Sequence, residues 1–243
     1  MDLIQEVQEL EYEYPYHHLV ETSPFSQTKH LFWGYRYAAY IEKIMSMLTA
    51  RKFDSLVDIG CGDGRVLKEI AQRFPGKRLV GLDYSEKSLS FAKAFSPDLT
   101  FETGTDELFD SFLLIEVIEH ISPLGMESFL AGVCQNLKEG AFGIITTPCD
   151  NVALNPKHYQ HFNRTSIEET LSAHFDIVSL EYISADTLGT KIIQRLLANK
   201  LFILNEKRSI SYLYSLYKER YLNATERNAT QLCVLVRKKS RIS

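Results

Sequence analysis

Two stretches of the chain carry residue types arranged for chemistry. In Val57-Asp58-Ile59-Gly60-Cys61-Gly62-Asp63-Gly64-Arg65 an apolar run breaks into alternating glycines, and Asp83 closes a second apolar run, Arg78-Leu79-Val80-Gly81-Leu82. A strand entering a glycine turn lets the backbone approach a ligand where a Cβ would collide, and a carboxylate after the next strand can accept both hydroxyls of a ribose. Arg65 stands where a dinucleotide fingerprint has its third glycine, so a pyrophosphate is poorly served. Asp58 and Asp63 put negative charge on both sides of the turn, which suits a ligand bearing an ammonium and a sulfonium better than one bearing phosphates. In the second stretch, Glu116-Val117-Ile118-Glu119-His120 ends a strand-like run. Two carboxylates and an imidazole there either bind one divalent cation or divide into a cofactor contact and a general base. His158 and His161 add two imidazoles further on.

Positioning these groups requires an alternating scaffold, and the hydrophobic periodicity supplies one. Strands are predicted over 56–59, 78–82, 99–102, 112–117, 142–146, 175–183 and 231–237, and helices over 65–73, 86–94, 126–137 and 166–173. A turn is read at Leu137-Lys138-Glu139-Gly140. This alternation predicts an α/β fold, a doubly wound and mostly parallel sheet. Residues 1–50 read as an N-terminal helical cap over the cleft, on the helical spacing of Tyr37, Ile41, Ile44, Met45 and Leu48, and 51–243 as the main domain. Residues 184–228 form a helical insertion before the last strand. Its apolar stripe, Leu188, Ile192, Ile193, Leu196, Leu197, Leu201, Phe202 and Leu204, is accompanied by Lys191, Arg195, Lys200, Lys207 and Arg208. This element is read as core packing, with a lid or a peripheral contact with an anionic membrane as the sharper alternative. Tyr212, Tyr214, Tyr217 and Tyr221 either line the same cavity or pack beneath it.

Composition sets the outer bounds. A chain of 243 residues with 45% hydrophobic content supports one sizeable core. No long apolar run reads as a membrane span and Met1 to Tyr14 does not read as a signal peptide, which gives a cytoplasmic expectation. Cys61, Cys134, Cys149 and Cys233 lack C-x-x-C spacing, so reduced thiols are expected. A net charge of −4 without a basic block disfavours an extended nucleic-acid surface.

The glycine motif resembles that of the class I S-adenosylmethionine-dependent methyltransferases, whose first motif is [D/E]-x-G-x-G-x-G. Asp83, the strand 111–117, the 137–140 turn and the strand 143–148 follow in that family's order. The resemblance implies a seven-stranded Rossmann-like sheet with an antiparallel last strand. It also implies a cofactor site in which Asp58 with Gly60, Cys61, Gly62 and Gly64 holds the methionyl part, Asp83 the ribose, and Tyr84 packs on adenine. Thr105 and Glu116 complete that set, and Arg36 grips the methionyl carboxylate. The segment E-V-x-E-H resembles that of the ubiquinone-biosynthesis O-methyltransferases (the type 11/12 group) and of the small-RNA 3′-terminal 2′-O-methyltransferases, which implies a divalent metal on Glu116, Glu119 and His120. The RNA enzymes take a further histidine after the fifth strand, where this chain has His158 and His161. Their F-E-W-T-R is here Phe162-Asn163-Arg164-Thr165-Ser166.

The expected activity is methylation of oxygen, or secondarily nitrogen, on a small-molecule, glycan-linked or lipid-linked acceptor. His120, His158 or His161 takes the proton. The alternatives are a metal-dependent RNA 3′-terminal 2′-O-methyltransferase and a cofactor-binding regulatory module without turnover.

Overall fold

A computed structural model of the protein describes residues 5–7, 12, 15–19, 34–197, 204 and 206–240. Strands β1 (Ser55–Ile59), β2 (Arg78–Leu82), β3 (Thr100–Glu102), β4 (Phe109–Ile115), β5 (Leu137–Pro148), β6 (Phe175–Ala185) and β7 (Ala229–Lys238) form one 7-stranded sheet in the order β3-β2-β1-β4-β5-β7-β6. β1 to β5 pair in parallel, while β7 runs antiparallel between β5 and β6. The sheet is therefore the doubly wound, mostly parallel one that the alternation predicts, and its last strand has the direction that the resemblance implies.

The helices are α1 (Gly34–Thr49), α2 (Arg65–Arg73), α3 (Glu86–Phe95), α4 (Met126–Gln135), α5 (Arg164–Leu171), α6 (Leu188–Leu197) and α7 (Lys207–Arg220). Strands at the centre of a sheet covered on both faces must be apolar on both, and successive residues divide between the faces. Val57, Phe112 and Ile145 pack with Leu130 of α4 and Ile167 of α5. Their neighbours Leu56, Leu113 and Ile144 pack on the other face with Leu67 of α2 and with Ile41, Ile44 and Leu48 of α1. α1 thus shares a core with the sheet through residues three and four apart, the spacing that put a helix there from sequence.

Three local expectations change. The stretch Leu137–Gly140 is the opening of β5, where Leu137 pairs with Phe109, and the bend is absorbed by Gly140 at φ 70° and by a register shift between Phe109 and Ser111. The fourth strand stops at Ile115, because Glu116 adopts φ 56° and Ile118–His120 turns into a 3-10 helix. In the insertion, Ile193 is buried and Leu197 packs partly buried with it against Ala38, Ala39, Tyr214 and Tyr217, whereas Leu188, Ile192 and Leu196 are exposed, so half of the six described residues of that apolar stripe stand off the core. Lys200, Leu201 and Phe202 lie outside the described residues. Tyr214 and Tyr217 of α7 pack against Ala38 and Ala39 of α1 beneath the insertion, and do not line the cavity. None of the four cysteines is in a disulfide.

Sheet packing leaves no room at Gly143, which pairs with Phe112; a Cβ there would stand 2.1 Å from the Phe112 ring, whereas one on Gly132 in α4 would meet nothing within 4 Å. Gly143→Ala should lower stability by about 1–3 kcal/mol, and Gly132→Ala should raise it by roughly 0.5–1 kcal/mol. Urea unfolding of the two variants checks this, and equal effects would contradict the packing argument.

Candidate active site

Open α/β sheets bind ligands beyond the carboxyl ends of their strands, and a cavity of about 950 Å³ lies there, reached by residues that follow β1, β2, β4 and β5. Its first end is built by the glycine turn. Gly60 and Cys61 donate their backbone N–H groups to Leu82 O at 2.7 and 3.0 Å, tying the turn to the end of β2. Gly60 has φ 78°, and a Cβ there would lie 2.5 Å from Val117 Cγ2. Gly62 has φ 55° and donates to Asp83 Oδ2 at 2.8 Å, while Ser85 N–H donates to Asp83 Oδ1 at 2.9 Å. Asp83 therefore organises the turn as well as lining the cavity, and a carboxylate's four accepting directions permit this double use.

Asp58 is buried and lines the cavity, and its Oδ1 has no hydrogen-bond partner among the described residues. Burial, followed by the charge of Asp83, pushes its carboxyl up to about 7. A buried acceptor that lacks a donor fits a ligand ammonium. Cys61, Gly62, Tyr84, Thr105 and Arg36 line the same cavity, with Tyr84 exposed. Arg36 Nε donates to Tyr35 Oη at 3.3 Å, and no carboxylate among the described residues pairs with its guanidinium. Gly64 sits outside the lining set, where its φ of 76° starts α2. Asp63 is directed to His17 and His18 of the N-terminal segment instead of to the cavity's charge.

The other end is polar and partly buried. Glu116, a non-glycine residue in the left-handed region, donates its N–H to Thr146 O at 3.1 Å and is thereby turned off the strand. Tyr40 Oη donates to Glu116 Oε1 at 3.4 Å and also bonds Thr146 Oγ1, and Gln231 bonds the Glu116 carboxyl. Burial raises the Glu116 carboxyl against the hydrogen bonds it takes from Gln231, Thr146 and Tyr40. Glu119 is 1% exposed and accepts from Thr147 Oγ1 at 3.2 Å through Oε2, while its Oε1 has no hydrogen-bond partner among the described residues. Burial, then repulsion by Glu116, holds its carboxyl well above the usual range.

The histidines form a chain whose tautomers follow from its ends. A carbonyl oxygen only accepts, so His161 Nδ1–H donates to Val152 O at 3.0 Å and its Nε2 is left as an acceptor. His158 Nδ1 must then donate to His161 Nε2 across 2.8 Å, leaving its lone pair on Nε2. His120 Nδ1–H donates likewise to Lys157 O at 2.9 Å, which puts its lone pair on Nε2. Burial, then His120, His161 and Lys157, push His158 down to about 3, so it is neutral at physiological pH. Ligand atoms of Glu119, His120 and His158 lie within 4.8 Å of one another. One carboxylate and two outer-held imidazoles suit a divalent cation in kind.

This grouping departs from the sequence expectation at two points. His158 replaces Glu116 in the potential metal-ligating set, because Glu116 is occupied by Tyr40, Thr146 and Gln231. His161 stands behind His158 and does not line the cavity. Sequence reasoning missed Tyr40 and Gln231. Only the β5–β7 register, which sets Gln231 opposite Pro148, brings Gln231 here, and no local motif marks either residue.

A family model for the methyltransferase domain matches residues 32–188. The trans-aconitate 2-methyltransferase of Deinococcus radiodurans is 39% identical over 74 residues, 30% of this chain and 29% of that protein, so the chain spans under a third of that curated relative's length. A S-adenosylmethionine-dependent methyltransferase from Archaeoglobus fulgidus superposes with a TM-score of 0.54 at 16% identity, over 82% of this chain and 94% of that one. The [4+2]-cyclase SpnF does so with a TM-score of 0.58 at 15% identity, over 84% and 82%. At such identities the likeness establishes the fold, and the cyclase illustrates that one fold carries different chemistries.

The raised carboxyl of Asp58 has a stability consequence. Between the ordinary aspartate value and about 7 the folded protein holds a proton that the unfolded chain has released, so the stability of the ligand-free protein falls as pH rises through that window. Asp58→Asn should therefore match the parent near pH 4 and exceed it by roughly 4 kcal/mol at pH 8. Urea titrations at the two pH values measure this, and a pH-independent difference would contradict the burial argument.

Proposed function

Since the chain belongs to the methyltransferase-domain family, within the class I S-adenosylmethionine-dependent methyltransferases, we propose that it transfers the methyl group of S-adenosylmethionine to a small acceptor, with oxygen as the receiving atom. The observation that carries the reading is Asp58, whose buried Oδ1, without a hydrogen-bond partner among the described residues, belongs to a side chain lining a cavity edged by the glycine turn and by Asp83. These residues fit the cofactor: Asp58 would take its ammonium, Arg36 its carboxylate, Asp83 its ribose hydroxyls, and Tyr84 its adenine. Bound there, S-adenosylmethionine supplies an electrophilic methyl group on a sulfonium.

The chain's own residues would do the rest. The fixed backbone of 60–62 aligns the two reactants, and alignment supplies most of what a methyl transfer needs. His120, its tautomer set by Lys157 O, presents a lone pair on Nε2 that can accept the acceptor's hydroxyl proton. The relative's named acceptor does not transfer automatically, because the matched stretch is shorter than the sequence distance between Tyr40 and Gln231 at the acceptor end. A second reading rests on the convergence of Glu119, His120 and His158: these three would hold a divalent cation that polarises the acceptor oxygen.

Calorimetric titration of S-adenosylhomocysteine tests the cofactor assignment. Asp83→Ala should weaken binding by about 10- to 100-fold, and an unchanged affinity would remove Asp83 from the site. Methyl transfer from labelled S-adenosylmethionine, measured over a panel of hydroxy acids, phenols, amines and trans-aconitate, identifies the acceptor class. His120→Ala should then cut turnover by about 10²–10⁴-fold while leaving S-adenosylhomocysteine affinity near that of the parent. Titration of Zn²⁺, Mn²⁺ and Mg²⁺ into metal-stripped protein decides the second reading. Uptake lost in Glu119→Gln and His158→Ala supports it, and absence of uptake sinks it.

A further inference from the structure

Asp63 lies inside the glycine motif, yet its partners come from the N-terminal segment. It is 1% exposed. The backbone N–H of His17 donates to its Oδ2 at 3.2 Å, and His17 Nδ1 lies 3.2 Å from its Oδ1, within ion-pair reach. His18 Nε2 donates to the main-chain oxygen of Asp63 at 2.9 Å. Arg65 closes the arrangement by donating from Nη1 to His17 O at 3.1 Å, while also pairing with Glu69 at 2.9 Å. Burial opposes ionisation of Asp63, but the bonds and charge of His17 outweigh it and hold the carboxyl below its ordinary value.

Aromatic contacts seat the same segment. The His18 ring stacks on Phe95 at the end of α3, with centroids 4.1 Å apart, and His17 stacks on Tyr37 of α1 at 5.3 Å. Tyr12 is buried, and its hydroxyl lies 2.6 Å from where a Cβ on Gly62 would be, so the lack of a side chain at Gly62 admits the segment against the turn. Gln5, Tyr12 and His17 line the cavity together with Asp58 and Asp83.

We propose that the described residues Tyr12, His17 and His18 of the N-terminal segment act as a strap that retains the cofactor, and that Asp63 is its latch: a positioning residue that acts through His17 and His18 and does not touch the ligand. The proposal rests on the reading of this cavity as the S-adenosylmethionine site. Its physical basis is reciprocal dependence. The flanking glycines at φ 55° and 76° fix where Asp63 sits, and a buried carboxylate is costly without partners, so the turn and the strap hold each other. Because the strap forms a wall beside Asp58 and Asp83, a ligand seated on those groups leaves only after the strap lifts. Ligand release and strap opening then share one barrier.

Surface plasmon resonance of S-adenosylhomocysteine over the immobilised full-length chain reads this barrier as a dissociation rate. Asp63→Asn should raise that rate at least tenfold, and the double variant His17→Ala/His18→Ala, which leaves the glycine motif intact, should raise it comparably. Melting temperatures recorded in parallel show whether each variant is folded. Amide hydrogen exchange across residues 12–19 should slow when S-adenosylhomocysteine binds the parent, and should slow less in either variant. A parent chain that binds S-adenosylhomocysteine but releases it at the same rate as both folded variants overturns the strap and leaves the cofactor reading standing. Failure of the parent to bind S-adenosylhomocysteine overturns both.

Discussion

The parallel register of β1 against β2 is the constraint on which the site depends. Ile59 pairs with Leu82 and Asp58 with Gly81, so β1 ends level with β2 and its next two N–H groups find Leu82 O waiting. Slipping that register by one residue would send Val57 and Leu56 to each other's faces, a change that both cores resist. Hydrophobic burial on the two faces thus fixes the position of backbone amides at the sheet's edge. The same burial brings Asp83 beside Gly62 and leaves Asp58 in a place where its Oδ1 meets no donor among the described residues. The apolar core and the polar orphan are therefore consequences of one pairing.

At the other end the logic repeats with different parts. β4 and β5 run in parallel and deliver Glu116 and Thr146 to the same level, where the left-handed turn at Glu116 ends the ladder. β7, inserted antiparallel beside β5, adds Gln231. Four elements distant in sequence thus surround one carboxyl: α1 through Tyr40, β5 through Thr146, β7 through Gln231, and the end of β4 itself. Such an arrangement is costly to stability, since Glu119 is buried close by with a carboxyl held well above its usual range. Buried groups in that condition concentrate where a ligand is to complete them.

Much of this scaffold was legible in the sequence because its strands are central and its helices amphipathic. Leu56 and Val57, and Phe112–Ile115, are apolar on both faces, the signature of buried parallel strands, and Tyr37 to Leu48 repeats at helical spacing. The glycine motif was legible for a stricter reason: three positive φ values in five residues leave few other residue types able to stand there. What stayed illegible was long-range or decided by competition. Leu137–Gly140 has turn-like composition, yet pairing of Leu137 with Phe109 draws it into β5. Leu188, Ile192 and Leu196 carry the period of a packed stripe, but periodicity shows only which side chains share a face, not what covers it. Tyr40 and Gln231 had no local signal, because their role exists only once the sheet order is known.

The histidines illustrate where the sequence reading and the geometry part company most instructively. From spacing alone, His158 and His161 were equivalent candidates for a base. Their hydrogen bonds make them unequal: His161 is committed to Val152 O and serves as acceptor for His158, which presents its remaining lone pair next to Glu119 and His120. A base must gain a proton readily, and a ring pushed down to about 3, by burial first and then by His120, His161 and Lys157, does so poorly near neutrality. His158 is thus better suited to polarise or to ligate than to deprotonate, and His120 is left as the group whose geometry suits proton acceptance. The division of labour follows from which backbone carbonyl each ring faces. That in turn is set by the loop after β5, whose Tyr159 N–H donates to Glu119 O at 2.8 Å and ties the loop to the 3-10 turn. That main-chain bond, with the bond from the His120 ring to Lys157 O, therefore holds close three side chains, Glu119, His120 and His158, that neither segment's sequence could have assembled by itself.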